Sequence, residues 1–564
     1  MVKLRWSYLA IVVVGIVMLL FRFSYPREDN EPLKVTTWDA FGYYMYNPSI
    51  FIYGDVSELK WIPEIEKKYS VTGGELYQAT PLENGKYTNK YLGGVAIMQL
   101  PFFFLGHVIA SVTDYPADGF SAPYQYSIAF GSIVYCILGL LLLRHVLSRF
   151  YDDKAIGITL LLLGLGTNLI QYTSIDGGQS HAYIFPLYSL ILWGTIKWHE
   201  RPHWKWAALI GFTIGLATIC RPTELIMLFI PLLWNTHERS ARKEKWKFVR
   251  KHLPHLWFVI GFGIVGILPQ LMYWLYTTGS PIHNVGSKWF FFNPWFRVLF
   301  GVNNGFFIYT PIVILFIVGF FFMKKYPFRR SVITFCLLNI WIIISWSDWR
   351  YGATYSTRAM VQSYPVFALA MCAAVTAVMN TKFLKKAVFV LSAFLLYVNI
   401  FQITQYNSTV LHPHDMTWQY YGRIFLNSEP TSLDFSLLDG NIIFDKKSKK
   451  IERTTPFKEQ LISSPKNFQN LSIIELGRKT KFVSIMLYIE DRGGAESNYI
   501  SAAFSGKEIG KVRLKHPHFK KGDVNMYEFH IEIPKSDKRE LSVNIVGWAP
   551  MEGYFITGRI AEFR

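Results

Sequence analysis

The chain has 564 residues, of which 51% are hydrophobic, 17% aromatic and only 17% charged. The apolar and aromatic shares exceed those of soluble domains, and many apolar runs approach the ~20 residues that cross a bilayer, which excludes an ordinary soluble globular protein. The net charge of +19 does not point to nucleic acid, because the basic residues cluster in short loops between apolar runs, as cytoplasmic loops do.

The N-terminus reads MVKLRW and runs apolar to Phe23. A cleaved signal peptide is the rival reading, but Arg22, Tyr25 and Pro26 follow where a small-residue cleavage site belongs, so a retained span is expected. The candidate spans are 6–23, 123–143, 155–172, 181–197, 205–220, 223–236, 255–277, 306–323, 331–347, 359–378 and 384–404. Basic clusters follow at Arg144/Arg149/Lys154, Lys197/Arg201/Lys205, 239–251, 324–330 and 382–386. With these inside, residues 24–90, 113–122, 173–180, 221–223, 278–305, 348–358 and everything after 405 fall outside. Both ends of the apolar run 92–112 are then external, so it is expected to lie in the outer interface. The expected fold is mainly α, a polytopic membrane protein of about eleven spans, with 24–122 as a first external loop carrying interfacial helices. The aromatic stretch 43–53 reads as another interfacial helix, and the aromatic clusters 289–292 and 295–296 as a surface element or flap.

After residue 405 the composition turns polar and basic. In YEFHIEI the apolar residues recur at every second position, the strand period. Residues 471–564 are expected to form an external, soluble β-sandwich-like domain, with 406–470 as an irregular linker. Cys136, Cys220, Cys336 and Cys372 all lie in apolar runs and read as small core residues.

The external stretches carry unusual groups for membrane-edge turns. VTTWDAFGYYMY, 35–46, holds Asp39 among aromatics; YTSIDGGQSHAY holds Asp176, Gln179 and His181; CRPTE holds Arg221 and Glu224; WSDWRYGATYSTR holds Asp348, Arg350, Tyr355 and Arg358. Ionisable groups near a bilayer are costly unless paired or facing water, so each is a candidate for function. Plainer readings stand beside this one. Arg221 and Glu224 also read as a structural pair at a hairpin tip, Arg358 as a headgroup contact, Asp176 as a cap on a helix starting at Gly178, His181 as a core histidine, and Lys86 and Lys90 as solvated loop charges. Carboxylates with Arg and Lys at the headgroup layer suit a substrate with a phosphate and an apolar tail. Arg binds phosphate bidentately, and a carboxylate can take a proton from an acceptor hydroxyl as the phosphate leaves.

At these residues the chain resembles the polytopic GT-C glycosyltransferases, in particular the protein O-mannosyltransferase and lipid A aminoarabinose transferase branch. WDAFGYY resembles the acid-bearing first external loop at Asp39. NKYLGGVAIMQLPFFFLG resembles the lysine-containing lead into an interfacial helix at Lys90, with Tyr91-Leu92 in place of the usual Pro-Pro. Asp176 resembles a second acid at the outer end of a later span, and Arg221-Pro222-Thr223 and WRYGATYSTR resemble further family turns. The resemblance covers roughly residues 5–405. It implies inverting transfer of a sugar from a polyprenyl-phosphate donor to an acceptor hydroxyl. It further implies Asp39 as general base, Asp176 as orienting the acceptor or assisting, Arg221 and Arg358 on the donor phosphate, and Lys90 as another phosphate contact. Gln179, His181, Glu224, Arg350 and Tyr355 join the candidate substrate-binding set. A lipid or solute transporter, or a non-catalytic envelope glycan-binding protein, is the alternative; the first calls for charges deep in the spans and pseudo-symmetric halves, which the sequence does not show. No cofactor is expected, and no His/Asp/Cys spacing supports a divalent metal. The expected partners are the lipid-linked donor, a protein, lipid or glycan acceptor and membrane lipid. The compact loops suit a bacterial inner membrane with the site outside.

Overall fold

A computed structural model describes residues 5–24, 33–291, 295–439, 441–462, 468–490, 498–514, 517, 519–521, 524–536, 539–547 and 554–564. Tyr25, Pro26 and the rest of 25–32, together with Phe292 of the aromatic cluster, lie outside these. The chain divides into two compact units, Met1–Ile403 and Thr404–Arg564.

The first unit is helical. Among the described residues six helices are long and apolar enough to cross a membrane: Trp6–Phe23, Gly94–Ser111, Ala122–Leu147, His255–Thr278, Arg358–Met379 and Lys382–Asn407. Gly94–Ser111 covers the run expected to lie in the interface, and by length and composition it suffices to span. Several other expected spans are broken. The run 155–172 is helical over Asp153–Leu165 and then gives a π-helical turn at Gln171–Ile175. The run 223–236 is a 3₁₀ segment, Pro222–Leu228, followed by the short helix Phe229–Leu233. The run 306–323 is split into Phe306–Tyr309, Pro311–Val313 and Ile314–Phe322. A proline opens two of these interruptions, Pro222 and Pro311, because it removes a backbone donor and cannot continue a preceding turn. Non-helical backbone of this kind is tolerated near a membrane where it is buried in protein or lines a cavity.

The segment read from sequence as a first external loop packs around Phe41, Tyr44, Trp61, Phe103 and Phe120. The stretch 43–53 becomes two short helices, Asp39–Tyr44 and Tyr46–Phe51. A two-stranded hairpin, Ala79–Pro81 with Tyr87–Asn89, leads into Lys90 and Tyr91.

The second unit contains two antiparallel sheets. One runs in the order Ile451–Ile462, Tyr554–Phe563, Phe482–Glu490, Val524–Glu532, Phe519–Lys521; the other runs Phe468–Glu475, Glu540–Val546, Tyr499–Phe504, Lys507–Arg513. Val483, Ile485, Leu487, Phe529 and Ile531 of the first share a core with Ile500, Val543 and Ile545 of the second, the layering of a β-sandwich. The strand Ile451–Ile462 falls inside 406–470, read from sequence as an irregular linker. It is an edge strand, and edges accept the polar residues and proline (Pro456) that hid its period.

Candidate active site

Asp39 starts the helix Asp39–Tyr44 directly after a residue in an unusual conformation. Trp38 has φ 55° and ψ −128°, a region that costs a bulky side chain of order 1–3 kcal/mol. It is held there by its N–H donating to the Val71 carbonyl at 2.9 Å and by Gln78 Nε2 donating to its own carbonyl at 3.0 Å. This fixes the direction of the next residue. Tyr91 then reaches Asp39 by crossing the helix at Gly42, where an added Cβ would lie 2.2 Å from the Tyr91 ring.

The Asp39 carboxylate accepts three hydrogen bonds. Tyr91 Oη donates at 2.6 Å and Tyr77 Oη at 2.9 Å to Oδ1, and Arg358 Nη2 donates to Oδ2 at 2.8 Å. Arg358 also donates through Nη1 to Gln179 Oε1 at 3.0 Å. Burial raises the Asp39 carboxyl, but the Arg358 charge and the hydrogen bonds from Tyr91, Arg358 and Tyr77 outweigh it and hold the group below its ordinary value. Burial and the neighbouring Asp39 charge push the Tyr91 phenol upward, so it remains a donor.

Gln179 is brought to Arg358 by the Gly177-Gly178 turn. A Cβ on Gly178 would lie 2.2 Å from the Val35 carbonyl oxygen and 2.8 Å from Ala40 Cβ, so this close approach to the Asp39 segment requires glycine. The helix begins at Ser180 with Gln179 as its N-cap and no side-chain cap; Asp176 does not cap it.

These groups line one cavity of about 530 Å³. Of the candidate residues, Asp39, Lys90, Gln179, His181, Arg221, Glu224 and Arg358 face it. Neither the Arg221 guanidinium nor the Lys90 ammonium makes a hydrogen bond or ion pair among the described residues, which leaves both for a ligand. Glu224, 2% exposed, is tied to the Tyr188 hydroxyl, to Thr223 Oγ1 at 3.3 Å and to Gln362 Nε2 at 3.1 Å. The reading of Arg221 and Glu224 as a pair at a hairpin tip is replaced by this arrangement.

Three candidates do not line the cavity, and each has a physical reason. The Asp176 carboxylate accepts from Gln171 Nε2 at 3.0 Å, and burial raises it while Gln171, Arg358 and Arg22 oppose the rise. Arg350 lays its guanidinium 5.3 Å from the Trp349 ring, and its backbone carbonyl accepts from Asn304 at 2.7 Å. Tyr355 is 1% exposed, and its hydroxyl is 3.0 Å from the Tyr309 carbonyl and 3.1 Å from Asn399 Oδ1. The cavity also contains Asp348 of the WSDWRYGATYSTR stretch and four residues that sequence reasoning passed over as site groups: Tyr77, Tyr91, Lys288 and Gln362. Tyr91 had a signal, since it stands where the resemblance expects the first proline after Lys90. Among the described residues no group of three or more His, Cys, Asp or Glu side chains is placed to hold a metal ion.

The family model described as dolichyl-phosphate-mannose-protein mannosyltransferase matches residues 121–273. The chain resembles the GT-C glycosyltransferases. The matched stretch holds Gln179, His181, Arg221 and Glu224, while Asp39, Lys90 and Arg358 lie on either side of it. No curated protein matches the chain. Solved structures that it resembles include the oligosaccharyltransferase of Archaeoglobus fulgidus in the apo form, at 12% identity and TM-score 0.42 over 74% of this chain and 57% of that one. A structure of that enzyme in complex with zinc and sulfate is 14% identical at TM-score 0.41, over 73% of this chain and 54% of that one. The arabinosyltransferase EmbB of Mycobacterium smegmatis is 12% identical at TM-score 0.31, over 99% of this chain and 64% of that one. The chain thus spans little more than half the length of the first of these.

Proposed function

We propose that the protein is a membrane glycosyltransferase that moves a sugar from a polyprenyl-phosphate donor to an acceptor hydroxyl, with inversion at the anomeric carbon. One observation carries this reading: a carboxylate, Asp39, faces the same cavity as the guanidinium groups of Arg358 and Arg221 and the Lys90 ammonium. The family match over residues 121–273 supports it. The acceptor oxygen bonds to the anomeric carbon, the bond from that carbon to the phosphate oxygen breaks, and the acceptor proton passes to Asp39. Arg221 and Lys90 hold the phosphate. Arg358 contributes after exchanging its bond to Asp39 for one to the phosphate, which frees Oδ2 as the proton acceptor. Donor binding and base activation are thereby coupled. The donor is drawn from the membrane, the acceptor is a protein, lipid or glycan hydroxyl, and the site faces the outside of a bacterial inner membrane.

The test is transfer of radiolabelled sugar from a polyprenyl-phosphate sugar by the protein in proteoliposomes. Turnover that requires Asp39 and saturates in the lipid-linked donor is expected. Absence of transfer from any lipid-linked donor, with a folded and inserted protein, would overturn the reading.

A further inference from the structure

Three buried polar side chains meet at one wall of the cavity, from three separate elements. His181 lies in the helix Ser180–Glu200, Glu224 in the 3₁₀ segment Pro222–Leu228 and Gln362 in the 3₁₀ segment Arg358–Ser363. Each is 2% exposed, and each lines the cavity. His181 Nδ1 is 2.8 Å from Gln362 Oε1, and Gln362 Nε2 donates to Glu224 Oε1 at 3.1 Å.

The direction of every hydrogen in this chain follows from the carboxylate at its end. Glu224 receives donors from Tyr188, Thr223 and Gln362. Gln362 meets this carboxyl through Nε2, the NH₂ side of its amide, which donates to Glu224 Oε1. The carbonyl side of that amide then faces His181. A carbonyl oxygen only accepts, so Nδ1 of His181 must carry the hydrogen. In a neutral imidazole the lone pair is then on Nε2. Nε2 makes no hydrogen bond among the described residues.

We propose that Glu224 and Gln362 are positioning residues: they hold His181 in the Nδ1–H tautomer so that Nε2 accepts a hydrogen bond from a substrate hydroxyl. The ligand chemistry is an alcohol O–H, supplied by the donor sugar or by the acceptor. The tautomer stands independently of the sugar-transfer reading; the identity of the hydroxyl rests on it.

Glu224→Gln separates this from a merely structural role. The substitution keeps the shape of the side chain but allows its amide to donate. It can then donate to Gln362 Oε1, turn the Gln362 amide over, and present an NH₂ to His181 Nδ1. The imidazole would switch to Nε2–H, and an acceptor in the cavity would become a donor.

The experiment is ¹⁵N NMR of histidine-labelled protein in lipid bilayers, with the His181 signals assigned by their loss in His181→Gln. The Nδ1–H tautomer is expected in the wild type and a shift to Nε2–H in Glu224→Gln. Finding Nε2–H in the wild type, or the same tautomer in both proteins, would overturn the proposal whether or not the protein transfers sugar. If Glu224→Gln fails to fold, Gln362→Glu serves as the second variant; its carboxylate next to Nδ1 is expected to keep the Nδ1–H form, and loss of that form would count against the proposal. Activity then identifies the hydroxyl, with dolichyl-phosphate mannose as the probe. A tenfold or larger fall in both donor hydrolysis and transfer in Glu224→Gln assigns it to the donor sugar, about the effect of reversing one hydrogen bond. A fall in transfer alone assigns it to the acceptor, and unchanged rates in both would refute the role in substrate binding.

Discussion

Asp39→Asn keeps the shape of the side chain and removes its charge. The wild-type carboxylate offers two oxygens to three donors, from Tyr91 at 2.6 Å, Tyr77 at 2.9 Å and Arg358 at 2.8 Å. The amide offers one oxygen and a competing NH₂, so the charge-assisted bond to Arg358 is lost or weakened, at about 1.5–3 kcal/mol. The Arg358 side chain is only 11% exposed, so its charge is left without a partner, whereas the 27% exposure of Asp39 lets water screen part of the loss. A net destabilisation of about 2–3 kcal/mol follows, which a melting curve in detergent or lipid would read as a drop of several degrees. The effect on turnover is larger, because removal of a general base costs about 10²–10⁴-fold. The assay is sugar transfer in proteoliposomes at a temperature well below both melting points. A variant that is folded and turns over within about threefold of wild type would refute Asp39 as the base.

Five further outcomes are expected. Because the folded Asp39 carboxyl is held below its ordinary value, its ion pair contributes stability above the unfolded pKa of about 3.9 and loses it as pH falls through the lower folded value. The difference in melting temperature between wild type and Asp39→Asn should therefore be flat from about pH 5 to 7 and close below about pH 3.9. Gly178→Ala places a methyl 2.2 Å from the Val35 carbonyl oxygen; an overpacking cost of about 1–3 kcal/mol and loss of transfer are expected, read by melting and by turnover. Arg221→Ala should leave the melting temperature nearly unchanged, because its guanidinium makes no hydrogen bond among the described residues, and raise the donor KM on the order of tenfold; Tyr355→Phe should show the reverse, a loss of about 1 kcal/mol with unchanged turnover. Lys245, in the helix Arg239–Lys251, is pushed down to about 7 by burial. The unfolded chain then binds one more proton than the folded one between about pH 7 and about pH 10.4, so the stability of wild type relative to Lys245→Met should rise with pH across that window.

The parts of the site that could be read in advance are the charges. In a chain with few charged residues Arg221 and Arg358 stand out because each sits at the end of an apolar run, and Asp39 because it lies among aromatic residues. Their partners did not stand out. Tyr77 and Tyr91 are two of 33 tyrosines, and no local pattern shows that one phenol meets a carboxylate 52 residues away or that Arg358 meets it from 319 residues away. In YTSIDGGQSHAY the eye goes to the acid, yet Gly177 and Gly178 shape the turn and Gln179 makes the contact, while Asp176 satisfies itself locally through Gln171. The β-sandwich was readable from its period of two at Tyr527, Phe529 and Ile531, all in the core. Its edge strand, Ile451–Ile462, was not, since an edge needs less apolar alternation. Hydropathy marked the apolar runs at 155–172, 223–236 and 306–323 but not the backbone within them, where turns, 3₁₀ segments and short helices replace a continuous helix.

The measurement closest to the central claim is native mass spectrometry of polyprenyl phosphate bound to the purified protein, for wild type and for Arg221→Ala and Arg358→Ala. One lipid phosphate bound per chain, weakened in each arginine variant and restored in neither by uncharged polyprenol, is the expected result. Equal binding of polyprenyl phosphate to all three proteins would place the lipid phosphate elsewhere and contradict the cavity as the donor site.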